Sequence, residues 1–414
     1  MRTLIINIGI VATGDIDAPI ADADSILIED GRITAVGRGL DGDAGAGSGG
    51  SPGGADLQVI DAKGTTAMPG LIDSHAHPVF GDFTPRQQAQ NFIESGLHGG
   101  VTTVISAGEV HLPGRPKDIV GLKALAIVAA KAYGNFRPGG VKVRAGAPIL
   151  ELGLEEHDFA EMAAGGVTLV GEIGLGSVRT GAQAAPMVAW AKQHGMTVTF
   201  HTGGPSIAGS NPIAADAVLE ARPHIVGHVN GGTTPMSDAD IERVVDTEMA
   251  IEIVHCGNGR AAIHALRAAT ALGGATGGGA KVLDGLRRVI VGNDAPSGTG
   301  VVPLGILRVL AHLASLGGVA PEIAVAMATG NTARVHGLDV GVLAPGRAAD
   351  IVLSDAPIGS QASTALDALR IGDLPGVSMV LIDGAVMIGR SRNTPPAARA
   401  AEVVGGGGPA AGGH

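Results

Sequence analysis

The stretch Met68-Pro69-Gly70-Leu71-Ile72-Asp73-Ser74-His75-Ala76-His77 decides how the chain is read. Its apolar start reads as a β-strand, and its two histidines stand one residue apart. Strand side chains alternate between faces, so His75 and His77 share a face and can aim at one ion. Imidazole suits zinc, iron or nickel. By itself His-x-His is explained equally well by two polar surface rings, so the decision rests on the rest of the chain.

Outward from this stretch, short apolar runs recur at 71–77, 101–106, 141–147, 167–173, 196–201, 224–228, 250–255 and 289–294. Helix-like segments at 85–98, 117–133, 182–194, 211–221 and 238–247 lie between them. Strands alternating with helices give a parallel α/β sheet, and eight strands are the number that closes a (β/α)8 TIM-like barrel. A doubly wound open sheet has the same pattern, because strand order is not written in the sequence. Both ends of the chain are different in character. Runs at 4–8, 25–29, 32–36 and 57–61 precede the barrel, and runs at 349–353, 379–382 and 385–388 follow a last helix at 320–336. Asp30-Gly31 and Asp383-Gly384 each sit between two runs as hairpin turns, since glycine tolerates positive φ. The expected organisation is a barrel over 68–341 and a small discontinuous β-sandwich domain from 1–67 with 342–392. Residues 39–55 read as a flexible Gly-rich loop, and 393–414, mostly Pro, Ala and Gly, as a loose tail.

In such barrels the chemistry sits at the carboxyl ends of the strands. Six ligand-type residues close apolar runs there: His75, His77, Glu172, His201, His228 and Asp294. Any one of them could be an ordinary polar residue entering a loop; six on one rim are a site. One catalytic zinc needs only three protein ligands and a water. Six suit two metals with one carboxylate bridging, a pair able to activate water and polarise a carbonyl. Among the other histidines, His224 starts its strand and points to the opposite end. His98, His157, His194, His264, His312 and His336 lie in or beside helical segments as surface or capping groups. His111 follows the second strand, and His255 closes the seventh beside Cys256.

Composition narrows the function classes. A net charge of -11 with 2% aromatic residues disfavours nucleic-acid binding, which needs a basic patch. No apolar run approaches the roughly 18 residues of a membrane helix. A lone cysteine cannot make an intramolecular disulfide, which fits a cytoplasmic protein. No Walker loop is present, and Gly174-Leu175-Gly176 lacks the further glycine of a dinucleotide turn.

The Pro69–His77 strand resembles the one that opens the barrel of the amidohydrolase superfamily. Residues 341–353, Gly-Val-Leu-Ala-Pro-Gly-Arg-Ala-Ala-Asp-Ile-Val-Leu, resemble its return into a small β domain. A narrower likeness, to members that open cyclic enamides, is carried by residues 170–176, 201–204, 228–232 and 292–300. The resemblance implies a metal-dependent hydrolase with His75, His77 and Asp294 on one metal and His201 and His228 on the other. Glu172 would bridge where many relatives use a carbamylated lysine. It also implies Zn2+ with Fe2+, or two Zn2+, and a homo-oligomer, a tetramer. The implied small-molecule reaction is 6-oxo-1,4,5,6-tetrahydronicotinate to 2-formylglutarate and ammonia, with Asp294 as general base and then acid. That substrate carries a carboxylate, for which Arg179, His255, Asn258, Arg260 and Ser297 are the candidate contacts. Another cyclic amide or an N-acyl amino acid as substrate, and a non-catalytic scaffold, are the competing readings.

Overall fold

The computed structural model describes residues 2–40, 57–79, 89–109, 112, 114–205, 211–232, 234–274, 279–296 and 302–405. Expectations for 41–55, for the start of the helix at 85–98, for His111 and for Ser297 therefore lie outside the described residues. The chain divides into two compact units, Ile72–Gly96 with Thr103–Val309, and Met1–Leu71 with Leu97–Thr102 and Leu310–His414.

The first of these units holds the barrel. Among the described residues the eight barrel strands are Leu71–Ala76, Val101–Ser106, Lys142–Arg144, Leu169–Ile173, Thr197–Phe200, Ile225–Val226, Ala250–Val254 and Val289–Gly292, the opening residues of the first two being grouped with the other unit. Strands one to three pair in sequence order, as do strands four to eight, the latter all parallel. The circle is completed at two seams. Ala76 bridges Ala295 in parallel, with the Asp294 N–H on the His75 carbonyl at 2.7 Å and the His77 N–H on the Ala295 carbonyl at 2.9 Å. At the other seam the Gly171 N–H reaches Pro148 O (3.0 Å) and the Glu172 N–H reaches Ala107 O (2.9 Å). A Cβ on Gly171 would stand 2.7 Å from that Ala107 oxygen, so a side chain there would push the two strands apart. With few aromatics available, the walls are filled by aliphatics such as Ile251, Ile253, Ile290 and Val198, each 0–1% exposed. Full burial of each contributes about 1.5–3 kcal/mol. The helices Ile119–Asn135, Gly181–Gln193 and Asp238–Val245 start on side-chain caps: Asp118 accepts from Gly121 N, Thr180 from Gln183 N and Ser237 from Asp240 N.

The other unit contains two sheets. Glu402–Gly405, Leu57–Asp61, Arg2–Ile6, Ser25–Glu29 and Arg32–Gly37 form the five-stranded one. Ala385–Ile388, Gly376–Ile382, Ile351–Asp355, Thr66–Pro69, Ile10–Ala12 and Ile20–Ala21 form the six-stranded one. The two chain ends meet where Val352 lies antiparallel to Met68. Ile5, Ile26, Ile28 and Ile60 of one sheet share a core with Val11, Ala67, Ile351 and Leu381 of the other, which makes a sandwich. The two Asp-Gly turns have positive φ at both residues (47° and 79°; 47° and 75°), as a two-residue hairpin of the primed type requires.

Two expectations need correction. The tail is not loose as far as it is described: Arg399 forks onto the buried Asp355 carboxylate at 2.6 and 2.7 Å, and Glu402–Gly405 adds an edge strand beside Leu57–Asp61. Backbone pairing and one charge pair hold this segment, and neither depends on the apolar side chains it lacks. The barrel unit also ends earlier than 341. The helical segment from Pro321 to Val335 belongs with the sandwich, where Gly330 packs so tightly that a Cβ would meet Gly14 O at 2.1 Å. Among the described residues no helix is long and apolar enough to cross a membrane.

Candidate metal centre

The first barrel strand is buried throughout, and His75 and His77 are 0% and 3% exposed at its end. Each ring is held through Nδ1. The His77 Nδ1–H donates to the Gly108 carbonyl at 3.0 Å, and His75 Nδ1 contacts Glu252 Oε2 at 2.6 Å. Both Nε2 atoms are thereby left to face carboxylates. His77 Nε2 is 3.4 Å from Glu172 Oε2 and 3.3 Å from Asp294 Oδ1; His75 Nε2 is 3.5 and 3.8 Å from the same two atoms.

Glu172 closes the fourth strand and points its two oxygens in different directions. Oε2 faces the first-strand histidines. Oε1 lies 2.6 Å from His228 Nε2 and 3.3 Å from His201 Nδ1, from the sixth and fifth strand ends. Those two ring nitrogens approach within 3.0 Å of each other. Among the described residues two groups could hold a metal ion: His75, His77 and Asp294, and His75, Glu172 and His228. His228 and Asp294 both sit at positive φ, 32° and 56°. Such strain costs on the order of 1–3 kcal/mol in a residue with a side chain and gathers at functional sites.

The electrostatics describe a site built for cations. Burial opposes charge on Glu172, yet His75 and His228 outweigh it and hold the carboxyl well below its usual range. Asp294 behaves alike: burial raises it, but the His77 hydrogen bond and the charge of His75 win, and it stays low. Burial also disfavours charge on His75 and His228, but Glu252 and Glu172 lift the first well above 6.5 and Glu172 lifts the second. Asp73, whose Oδ1 accepts from the backbone N–H groups of His75 and Asn293, is pushed up to about 7 by burial.

Divalent metals fit these residues. His75 Nε2 is buried without a hydrogen-bond partner, and nitrogens at 3.0 Å need a proton or a cation between them. Only the neutral ring binds metal, and His75 and His228 keep their protons to higher pH than an ordinary histidine. Zinc uptake by metal-free protein should therefore release protons, and apparent affinity should rise as pH climbs above about 6.5 through the raised histidine values. Calorimetry in buffers of different ionisation enthalpy reads both; pH-independent affinity would contradict the assignment. The metal-free fold should behave oppositely, because raised histidine values stabilise fully below about 6.5 and that contribution is lost as pH climbs through the raised values.

The expected substrate contacts fare unevenly. Arg260 is not brought to the cluster: its guanidinium is 71% exposed and forks onto Asp238 at 2.7 and 3.0 Å. Arg179 is exposed, and its N–H donates to Gln183 Oε1 just before a helix. Asn258 caps the helix Gly259–Gly274 by accepting from Ala261 N at 3.0 Å. His255 is half-buried in the turn that follows the seventh strand, with its N–H on Gly292 O. His224, at the opposite strand end, accepts from Val198 N; burial lowers it to about 4.

Two residues were missed by reading strand ends alone. Glu252 sits mid-strand at 0% exposure, and a carboxylate inside the run Ala250-Ile-Glu-Ile-Val254 was the available signal. Arg115, in the loop after the second strand, has a side chain only 13% exposed and donates one N–H to Glu151 Oε1 at 3.3 Å. Glu151 is fixed in turn by the Ser177 N–H at 2.8 Å, so loops after strands two, three and four are tied together.

An eight-stranded barrel with histidines and carboxylates at its strand ends defines a class, and sequence comparison names it. The amidohydrolase family profile matches residues 66–387, and the chain belongs to that family. It is 51% identical over 405 residues to the enamidase of Eubacterium barkeri, covering 97% of this chain and 100% of that one. The crystal structure of an enamidase superposes with a TM-score of 0.89 at 50% identity, over 98% of this chain and 100% of that one. An adenine deaminase of Ruegeria sp. is 28% identical over 323 residues, 73% of this chain and 47% of the relative.

Proposed function

We propose that the protein is a two-metal hydrolase that opens a cyclic enamide, 6-oxo-1,4,5,6-tetrahydronicotinate, to 2-formylglutarate and ammonia. The single observation that carries the two-metal reading is the division of Glu172, with one oxygen toward His75 and His77 and the other toward His201 and His228. The cyclic-enamide class is supported by 51% identity along 97% of the chain to a protein named enamidase. In this reading His75, His77 and Asp294 would hold one ion and His201 and His228 the other, with Glu172 between the two groups. Zinc and iron both suit such an all-nitrogen-and-oxygen donor set, and metal analysis by mass spectrometry distinguishes a mixed pair from two zincs. The same reading carries a homotetramer, which light scattering checks.

When bound, the ions lower the pKa of water and polarise the carbonyl that it attacks. Asp294, held ionised and buried, takes the proton from the attacking water and passes it to the lactam nitrogen as the C–N bond breaks. The nitrogen leaves as an enamine, tautomerises to an imine, and a second water releases ammonia and leaves the aldehyde. This reading assigns the substrate carboxylate to Arg115, whose enclosed guanidinium gives one N–H to Glu151. Arg115→Ala should raise KM about tenfold or more for the carboxylated substrate and leave the uncharged ring unaffected. Equal loss for both would make Arg115 a loop tether only.

The product tests the substrate class. An enamide must yield ammonia, whereas a saturated lactam would yield an amino acid with its nitrogen retained. Rapid hydrolysis of N-acyl amino acids with no ammonia from the tetrahydronicotinate would overturn the proposal.

A further inference from the structure

The reaction as described gives no task to a fully buried carboxylate beside the cluster. Glu252 is 0% exposed, in the middle of the seventh barrel strand. Its Oε1 accepts from Ser74 Oγ at 2.5 Å; its Oε2 contacts His75 Nδ1 at 2.6 Å and accepts from the His228 backbone N–H at 3.2 Å. An isolated buried charge is costly, and three polar partners are what make this one tolerable. The partners are not a random set. His75 turns its Nε2 toward Glu172 Oε2, and His228 turns its Nε2 toward Glu172 Oε1. One carboxylate therefore grips a residue from each side of the bridge, and it does so behind the ligand atoms.

We infer that Glu252 is a positioning residue for both halves of the centre. It keeps the His75 proton on Nδ1, so that Nε2 is the free ligand atom, and it holds the His228 backbone in its unfavourable φ of 32°. A ligand such as His77 answers to one side of the centre; Glu252 answers to both. Asp73 does not share this role, because its Oδ1 fixes the backbones of His75 and Asn293 alone.

The inference rests on the two-metal reading, and its test separates the two. Metal-free wild type and Glu252→Gln are titrated with zinc, and folding of each is followed by circular dichroism. Glu252→Gln keeps the shape of the side chain but removes the charge and one acceptor. The expected result is about 10–100-fold weaker binding of both zinc equivalents, with kcat reduced and KM little changed. In zinc-loaded wild type, nitrogen-15 histidine spectra should contain a strongly downfield, exchange-protected Nδ1–H from His75 that moves upfield in the variant. Two zincs bound by Glu252→Gln with wild-type affinity overturn the inference alone. Uptake of a single zinc by wild type overturns the two-metal reading and the inference with it. If the variant does not fold, the wild-type spectrum decides: a His75 Nδ1 without its proton contradicts the role.

Discussion

Asp294→Asn should lower kcat by about 10²–10⁴-fold with both metals still bound. Asparagine has the shape of aspartate and an oxygen for the ion, but it cannot take up the proton of the attacking water. The geometry makes the residue hard to replace. Its N–H is pinned to the His75 carbonyl at 2.7 Å, its φ is 56°, and His77 and His75 hold the carboxyl ionised although it is buried. Metal content and steady-state kinetics on one preparation give the result. Near-normal turnover in a metal-loaded variant would remove Asp294 as the proton carrier.

Glu172→Gln should lower metal content from two ions to one and kcat by about 10³-fold, equivalent to about 4 kcal/mol of barrier. The amide retains one oxygen, so it can serve His75 and His77 or His201 and His228 but not both pairs. The Glu172 N–H still bonds Ala107 O and Gly171 still admits that strand, so the barrel itself should survive. Two tightly bound metals in Glu172→Gln would show that the carboxylate is not the bridge.

The cluster of histidines and carboxylates was legible because each of its members ends an apolar run. A strand carries its last polar side chain to the rim, so six run endings on one face of a barrel are a spatial statement made in one dimension. The hairpins were legible for an equally local reason, since Asp30-Gly31 and Asp383-Gly384 accept the positive φ that the turn demands. What escaped depends on contacts across the chain. Glu252 meets Ser74 and His75 some 180 residues away in sequence. Arg115 owes its enclosure to Glu151, and Arg260 is drawn off to Asp238, neither of which shows in a local pattern. The segment at 393–405 was misread because its ordering comes from the Asp355–Arg399 pair and from strand pairing with Leu57–Asp61.

The most direct test of the account is ammonia release from 6-oxo-1,4,5,6-tetrahydronicotinate as metal is returned to stripped protein. The account predicts no turnover without metal and a rate that rises until both sites flanking Glu172 are filled, near two equivalents per chain. Full rate at one equivalent, or turnover indifferent to metal removal, would contradict it.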